Sequence, residues 1–241
     1  MKSGERDPLD RYYTPLPFSR AHVRRLIELG LLQDGYIVMD AGCGDGSYLE
    51  ALDLEIERAG LKNVKVFGID IDKAAVETCI KRGKKAIHDS FLDVDGLKAG
   101  EIQLVVGNPP FLLAKQFIDH GLMLGEQNRD HMGVVSFLLQ SQYLSGSDRY
   151  ESDVWDGLVR ADPFTTRPRF YGPAVDLINE RRKAEGKPKA GGNTVDYSTF
   201  TWTTERNRKT KASGQKPSHD ILARHLVPIV EPASRFTATV A

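Results

Sequence analysis

The chain has 241 residues, 40% of them hydrophobic and 27% charged, and its 33 basic and 33 acidic side chains cancel. That composition excludes fibrous and intrinsically disordered classes and allows one large domain, or a domain with an appendage. Two cysteines, no apolar leader and no apolar stretch of membrane-spanning length argue against a disulfide scaffold, a zinc site and membrane insertion, and predict a cytoplasmic protein in which at most one Cys43–Cys79 pairing is possible.

Residues 1 to 18 are polar and punctuated by prolines. Arg11, Tyr12, Tyr13, Thr14 and Pro15 form an extended segment that either folds over a cofactor or is simply an ordered arm. Ser19 is placed as the N-cap of a short amphipathic helix, with Val23, Leu26, Ile27 and Leu29 on one face and Gly30 as its stop. Tyr36 to Asp40 is a buried strand that leads into the glycine turn Ala41 to Gly46, and Ser47 to Ala59 has helical periodicity ending at Gly60.

Strand, glycine turn and helix together make a nucleotide-binding unit. The spacing G-x-G-x-G departs from the dinucleotide fingerprint, whose third glycine falls where Ser47 stands. Gly42, Gly44 and Gly46 suit close backbone approach to a cofactor along its length. Cys43 in this turn has no neighbouring base and is a small packing residue. Asn63 to Asp70 is the second strand, and a carboxylate at its end can accept two ribose hydroxyl hydrogens, whereas Asp72 caps the helix Lys73 to Arg82. Lys85 to His88 is the third strand, followed by Asp89, Ser90 and Phe91; Asp89 can accept from an adenine amino group, and Ser90 and Asp93 suit a turn.

The fourth strand, Glu101 to Val106, runs into Asn108, Pro109, Pro110 and Phe111. Consecutive prolines bar both helix and ladder, so the backbone is held open at the carboxyl end of a strand, where open α/β sheets bind ligands. The Asn108 amide oxygen and the Pro109 carbonyl offer two acceptors to a flat NH2 group, and Phe111 offers a stacking face. The nitrogen of such an amine is delocalised and weakly nucleophilic. Accepting both hydrogens localises its lone pair toward a methyl donor, and positioning with fixed dipoles then suffices, with no metal or covalent nucleophile.

Phe111 to Gly125 follows as a helix with Phe117, Ile118, Leu122 and Met123 toward the sheet, then a fifth strand, His131 to Leu139. Gln140 to Leu158 is read as partly helical, interrupted at Gly146. Two late strands are placed at Pro163 to Phe170 and Thr194 to Trp202. Between them, Tyr171 to Asn193 is a basic insertion that either touches a phosphate backbone or is a solvated helix and loop. From Gly157 to Lys216 there are 13 Lys and Arg against 6 Asp and Glu, a local basic region suited to nucleic acid.

In this order, the stretches Asp40 to Gly46, Gly68 to Asp72, Asp89 to Phe91 and Asn108 to Phe111 resemble the class I S-adenosylmethionine-dependent methyltransferases. The Asn-Pro-Pro-Phe turn resembles those that methylate a planar nitrogen, notably DNA adenine-N6 methyltransferases of the gamma arrangement. The resemblance covers Arg11 to Leu144 and, more loosely, the late strands. It implies an α/β fold with a doubly wound, seven-stranded Rossmann-like sheet, mostly parallel with an antiparallel edge strand. It also implies S-adenosylmethionine as cofactor and nucleic acid, DNA first, as partner.

Carried over by position, Asp40, Gly42 and Gly44 would line the methionine part of the cofactor and Tyr13, Thr14 and Pro15 would close its pocket. Asp70, with Ile71 beside it, would hold the ribose, and Asp89 with Phe91 the adenine. Asn108 and Pro109 would hold the target amine, Pro110 would stiffen the corner and Phe111 would stack on a flipped base. The expected organisation is an arm and helix over residues 1–30, a catalytic domain over 31–205 with the insertion 171–193, and a mobile basic tail over 206–241. Family members of this order carry a substantial target-recognition domain, for which only the insertion and tail are available here. Transfer to adenine in RNA, transfer to a protein glutamine amide, and a non-catalytic cofactor-binding module are the competing readings. An NAD oxidoreductase is disfavoured by the glycine spacing together with the Asn-Pro-Pro-Phe turn.

Overall fold

The computed structural model describes residues 7–95, 102–127, 133–145, 153–189 and 194–205. The tail 206–241, Gly146 and the end of the insertion at Gly191 and Gly192 lie outside the described residues. The strands are β1 (Ile37–Ala41), β2 (Lys65–Asp70), β3 (Ala86–His88), β4 (Ile102–Gly107), β5 (Val134–Gln140), β6 (Leu158–Pro163) and β7 (Tyr197–Thr203). They form one seven-stranded sheet in the order β3-β2-β1-β4-β5-β7-β6. Strands β1 to β5 pair in parallel, and β7 runs antiparallel between β5 and β6, as the α/β expectation requires.

Helices α1 (Leu16–Glu28) and α2 (Ser47–Ala59) pack over one face of this sheet. They meet Val38, Leu104, Val106 and Val134 there. On the other face α4 (Ala114–Glu126) sets Ile118 and Leu122 against Met39, Val105 and Val135. Neighbouring residues of one strand thus feed opposite cores, which is why the strands are continuous apolar runs. Helix α3 (Lys73–Lys81) links β2 to β3, and α5 (Pro173–Ala184) lies between β6 and β7.

Three local expectations are corrected. Helix α1 begins at Leu16, with Pro15 as its N-cap and Pro17 in its first turn, where a missing N–H costs no helical bond. Ser19 therefore lies inside the helix, and its hydroxyl meets the Ser47 hydroxyl at 2.9 Å. The sixth strand is Leu158–Pro163, not Pro163 to Phe170. Pro163 and Pro168 have no N–H for a ladder, and beyond Phe164 the chain runs irregularly, with the Phe164 and Phe170 rings buried against Tyr197 and Phe18. The segment after β5 holds 3-10 turns at Ser141–Leu144 and Asp153–Trp155, not a longer helix.

In α5 only Ala174 is buried, so the insertion contributes a solvated helix. Its Arg181, Arg182 and Lys183 fall in the last turn, where positive charge favours the helix dipole.

Because β6 is antiparallel to β7, and β7 to β5, β6 runs with the parallel strands. The glycine turn, Asp70, Asp89, Asn108 and the segment from Phe164 onward therefore all leave the sheet at one edge. The strand order reverses between β1 and β4, the switch point at which such sheets bind ligands.

A buried polar chain crosses the core behind this edge. His22 is 1% exposed, and its Nδ1 and Nε2 meet the Tyr48 hydroxyl at 2.9 Å and the Ser136 hydroxyl at 2.8 Å. Burial holds its pKa down at about 3, below the unfolded value of about 6.5. On acidification the unfolded chain takes up a proton that the native His22 refuses. Stability is thus lost as pH falls below about 6.5, at up to about 1.4 kcal/mol per pH unit from this group. His22→Gln should remove that part of the acid sensitivity when melting temperatures at pH 7.5 and pH 5 are compared.

Candidate active site

The arm, the glycine turn, the end of β2, the turn after β3 and the Asn-Pro-Pro-Phe corner enclose one cavity. Of the residues expected at the cofactor, Tyr13, Gly42, Gly44, Asp70, Ile71 and Phe91 line it. Asn108 and Pro110 line the same cavity from the acceptor side. Thr14, Pro15, Asp40, Asp89, Pro109 and Phe111 are not among its lining residues.

The glycine turn is shaped by backbone demands. Gly42 and Gly44 take φ of +72° and +52°, the left-handed region that glycine enters without strain. A Cβ on Gly44 would stand 2.8 Å from the Tyr13 ring, so this wall of the cavity is glycine backbone covered by an aromatic ring. Asp70 braces the turn from β2. Its Oδ2 accepts the Gly44 N–H and its Oδ1 the Asp72 N–H, both at 2.8 Å. Burial raises the Asp70 pKa, and those two donors oppose the rise. Asp72 caps α3 as expected, taking the Ala74 N–H at 2.9 Å.

Several acidic side chains gather at the cavity, with Arg11 beside them. Burial and the nearby carboxylates of Asp72, Asp45 and Asp70 push the Tyr13 phenol up to about 12. Asp40 lies 1% exposed beneath the turn. Neither of its carboxylate oxygens has a hydrogen-bond partner among the described residues. Burial, reinforced by Cys79, Asp70 and Asp45, drives its pKa well above the ordinary carboxylate range. The Thr14 hydroxyl is likewise buried without a partner among the described residues. Asp89 is exposed and takes the Ser90 N–H at 2.8 Å, so its side chain shapes the turn that brings Phe91 into the wall. Cys43 and Cys79 are free thiols, buried with Leu49.

On the acceptor side, Gly107 at φ +150° swings the chain out of β4. The Asn108 NH2 donates to the Tyr12 carbonyl at 2.8 Å, and a carbonyl can accept only from the NH2, so the amide orientation follows. Its oxygen Oδ1 is buried and has no partner among the described residues. The Pro110 carbonyl accepts the Leu113 N–H at 2.9 Å and closes the 3-10 turn Phe111–Leu113. The Phe111 ring, expected as an open stacking face, sits within an aromatic cluster. Its centroid lies 6.2 Å from Tyr12, 6.4 Å from Phe170 and 5.9 Å from Tyr197.

Sequence reasoning missed Asp10, which takes the Phe111 N–H at 2.9 Å, and Phe117, whose ring packs 4.8 Å from Phe91. Phe117 shows in the helical period, but no spacing links Asp10 to a residue so far along the chain.

A family model described as methionine biosynthesis protein MetW matches residues 20–104, from within α1 to within β4. None of the curated proteins matches the chain. Among solved structures, a Listeria monocytogenes protein described as a class I S-adenosylmethionine-dependent methyltransferase is 15% identical, with a TM-score of 0.57 over 92% of this chain and 66% of its own. A Pyrococcus horikoshii protein described as an RNA methyltransferase is 18% identical, with a TM-score of 0.54 over 80% of this chain and 88% of its own. A type I restriction-modification methyltransferase subunit from Streptococcus thermophilus is 14% identical, with a TM-score of 0.54 over 80% of this chain and 44% of its own. The chain thus spans just under two thirds of the first of these and less than half of the last.

Among the described residues no helix is long and apolar enough to cross a membrane. At such identities the likeness speaks for architecture, and the seven-stranded, mostly parallel α/β sheet is that of the Rossmann-like methyltransferase fold.

Proposed function

We propose that this chain is an S-adenosylmethionine-dependent methyltransferase that acts on a planar exocyclic amine, first of all N6 of adenine in DNA. The observation that carries this is the Asn108 amide. Its nitrogen is held by the Tyr12 carbonyl, while its oxygen is buried without a partner among the described residues, beside a cavity that continues to Gly42 and Gly44. A buried amide oxygen left unsatisfied costs about 1–3 kcal/mol. An incoming NH2 group relieves that cost.

The residues fit the cofactor on the other side of the cavity. Gly42 and Gly44 would admit its methionine part, Asp70 and Ile71 would flank the ribose, and Phe91 would offer a ring to the adenine. Burial disfavours the charged forms of Asp40 and Asp70, and a bound cation would favour them. When bound, S-adenosylmethionine supplies a methyl group activated by a positively charged sulfur. Asn108 Oδ1 and the Pro109 carbonyl would each accept one hydrogen of the amine, holding it flat to the donor and its lone pair toward the methyl group. The chain would then work by orientation and fixed dipoles.

The DNA substrate is supported by the motif order, by the basic residues between Arg167 and Lys189, in the segment that leaves the sheet at the same edge as Asn108, and by the likeness to the Streptococcus thermophilus restriction-modification subunit. RNA adenine is the second reading. It is favoured because the chain spans 88% of the Pyrococcus horikoshii protein described as an RNA methyltransferase and under half of the restriction subunit. Incubation with methyl-labelled S-adenosylmethionine and a mixture of unmethylated DNA, RNA and cell protein, followed by separation, is expected to put label in DNA. Label in RNA alone moves the reading to the second substrate, and label only in protein ends both.

A further inference from the structure

Residues Asp7 to Tyr13 come before the first helix, yet they touch both halves of the cavity. Toward the acceptor corner, Asp10 Oδ2 takes the Phe111 N–H at 2.9 Å and the Tyr12 carbonyl takes the Asn108 NH2 at 2.8 Å. Toward the glycine turn, Arg11 pairs with Asp7 at 2.9 Å and with Asp72 at 3.0 Å. The Tyr13 ring covers Gly44, and the Tyr13 backbone bridges to Tyr171 of the insertion.

The Phe111 N–H opens a 3-10 turn, so it is one of the donors a helix start leaves without an internal partner. Pro110 before it has no side-chain oxygen with which to cap, and the described turn has no local side-chain cap. Asp10 supplies that acceptor from a residue 101 positions away. It does so from φ +55°, a left-handed conformation that Asp tolerates only at some cost and that context must hold in place. The residue is 9% exposed.

We infer that the arm is a staple that sets the amine-accepting corner, and that Asp10 is its positioning residue. By capping Phe111, the Asp10 carboxylate holds the Pro-Pro-Phe corner against the arm. The Tyr12 carbonyl is then in place to take the Asn108 NH2. That contact decides which end of the amide faces the substrate: with the amide turned over, an NH2 would confront an NH2 and the acceptor would be lost. The inference rests on the reading of Asn108 as the amine acceptor.

Asp10→Ala and Asp10→Asn in the full chain separate the possibilities, because an asparagine oxygen can still accept the Phe111 N–H and an alanine cannot. With unmethylated plasmid DNA and saturating S-adenosylmethionine, Asp10→Ala is expected to lower kcat by about tenfold. Its KM for S-adenosylmethionine should stay within about twofold, and Asp10→Asn should recover most of the rate. A second readout needs no turnover: in 1H–15N spectra the Phe111 amide proton should exchange slowly in the wild type and Asp10→Asn, and fast in Asp10→Ala. Wild-type kcat in Asp10→Ala with unchanged Phe111 exchange overturns the inference. So does a parallel loss of melting temperature and donor affinity, which marks a merely structural contact. If the wild-type chain methylates no nucleic acid, the proposed function fails, and Phe111 exchange still decides whether the staple exists.

Discussion

Replacing Asn108 by alanine is expected to lower kcat by about 10²–10³-fold, the range for removing one preorganised polar group from a reacting centre, and to leave the affinity for S-adenosylmethionine within about twofold. The split follows from where the side chain points. Its nitrogen is spent on the Tyr12 carbonyl, and its oxygen has no partner among the described residues, so the group lost in the variant is one that only the amine would use. Asn108→Asp is a sharper probe. It keeps an acceptor at nearly the same place but sets a carboxylate against the Tyr12 carbonyl, so the corner should shift and the rate stay low. Steady-state kinetics with calorimetric titration of the donor reads both quantities. A large loss of donor affinity in Asn108→Ala, with kcat preserved at saturation, would put this residue on the cofactor side instead.

The second large effect is expected at Asp70. Its two oxygens hold the Gly44 and Asp72 N–H groups, and in the proposed complex they would also face ribose hydroxyls. Alanine removes all of these acceptors and strands two donors in the cavity wall. Hydrogen bonds to a charged group contribute about 1.5–3 kcal/mol each. Losing the equivalent of one such bond should therefore weaken S-adenosylmethionine binding by about 10–150-fold in Kd. Asp70→Asn, which keeps one acceptor oxygen, should fall between the two. Calorimetry on the three proteins gives the comparison, and unchanged affinity in Asp70→Ala would remove Asp70 from the binding site.

The parts of the fold legible in the sequence are those where one physical signal dominates. Strands β1, β4 and β5 are covered on both faces, so Val38 with Met39, and Leu104 with Val105, must all be apolar, and an uninterrupted run results. The turns after them are legible because they need glycine or proline at fixed places, as at Gly42, Gly44 and Pro109. Strand β6 was harder to place. It carries Arg160 and Asp162 within the ladder, joined by a buried ion pair, while the more strand-like residues Phe164 to Phe170 are kept out of it by two prolines.

The site shows the same division. Residues at strand ends, such as Asp70 and Asn108, announce themselves by position. What surrounds them does not, because the Asp10–Phe111 and Tyr12–Asn108 contacts join residues about a hundred positions apart and leave no periodic trace. Phe111 shows the limit most plainly: its place in the corner can be read from the motif, whereas the rings of Tyr12, Phe170 and Tyr197 around it arrive from three separate segments.

In the proposed reaction the methyl group goes to an exocyclic nitrogen of the substrate. Nucleosides from DNA and RNA of cells expressing the wild-type chain or Asn108→Ala, separated and weighed by mass spectrometry, test it directly. The expected result is methyl on an exocyclic nitrogen, N6 of adenine, present with the wild type and absent with the variant. Methyl on a ring carbon or a ribose oxygen, or equal amounts of N6-methyladenine with both proteins, would contradict it.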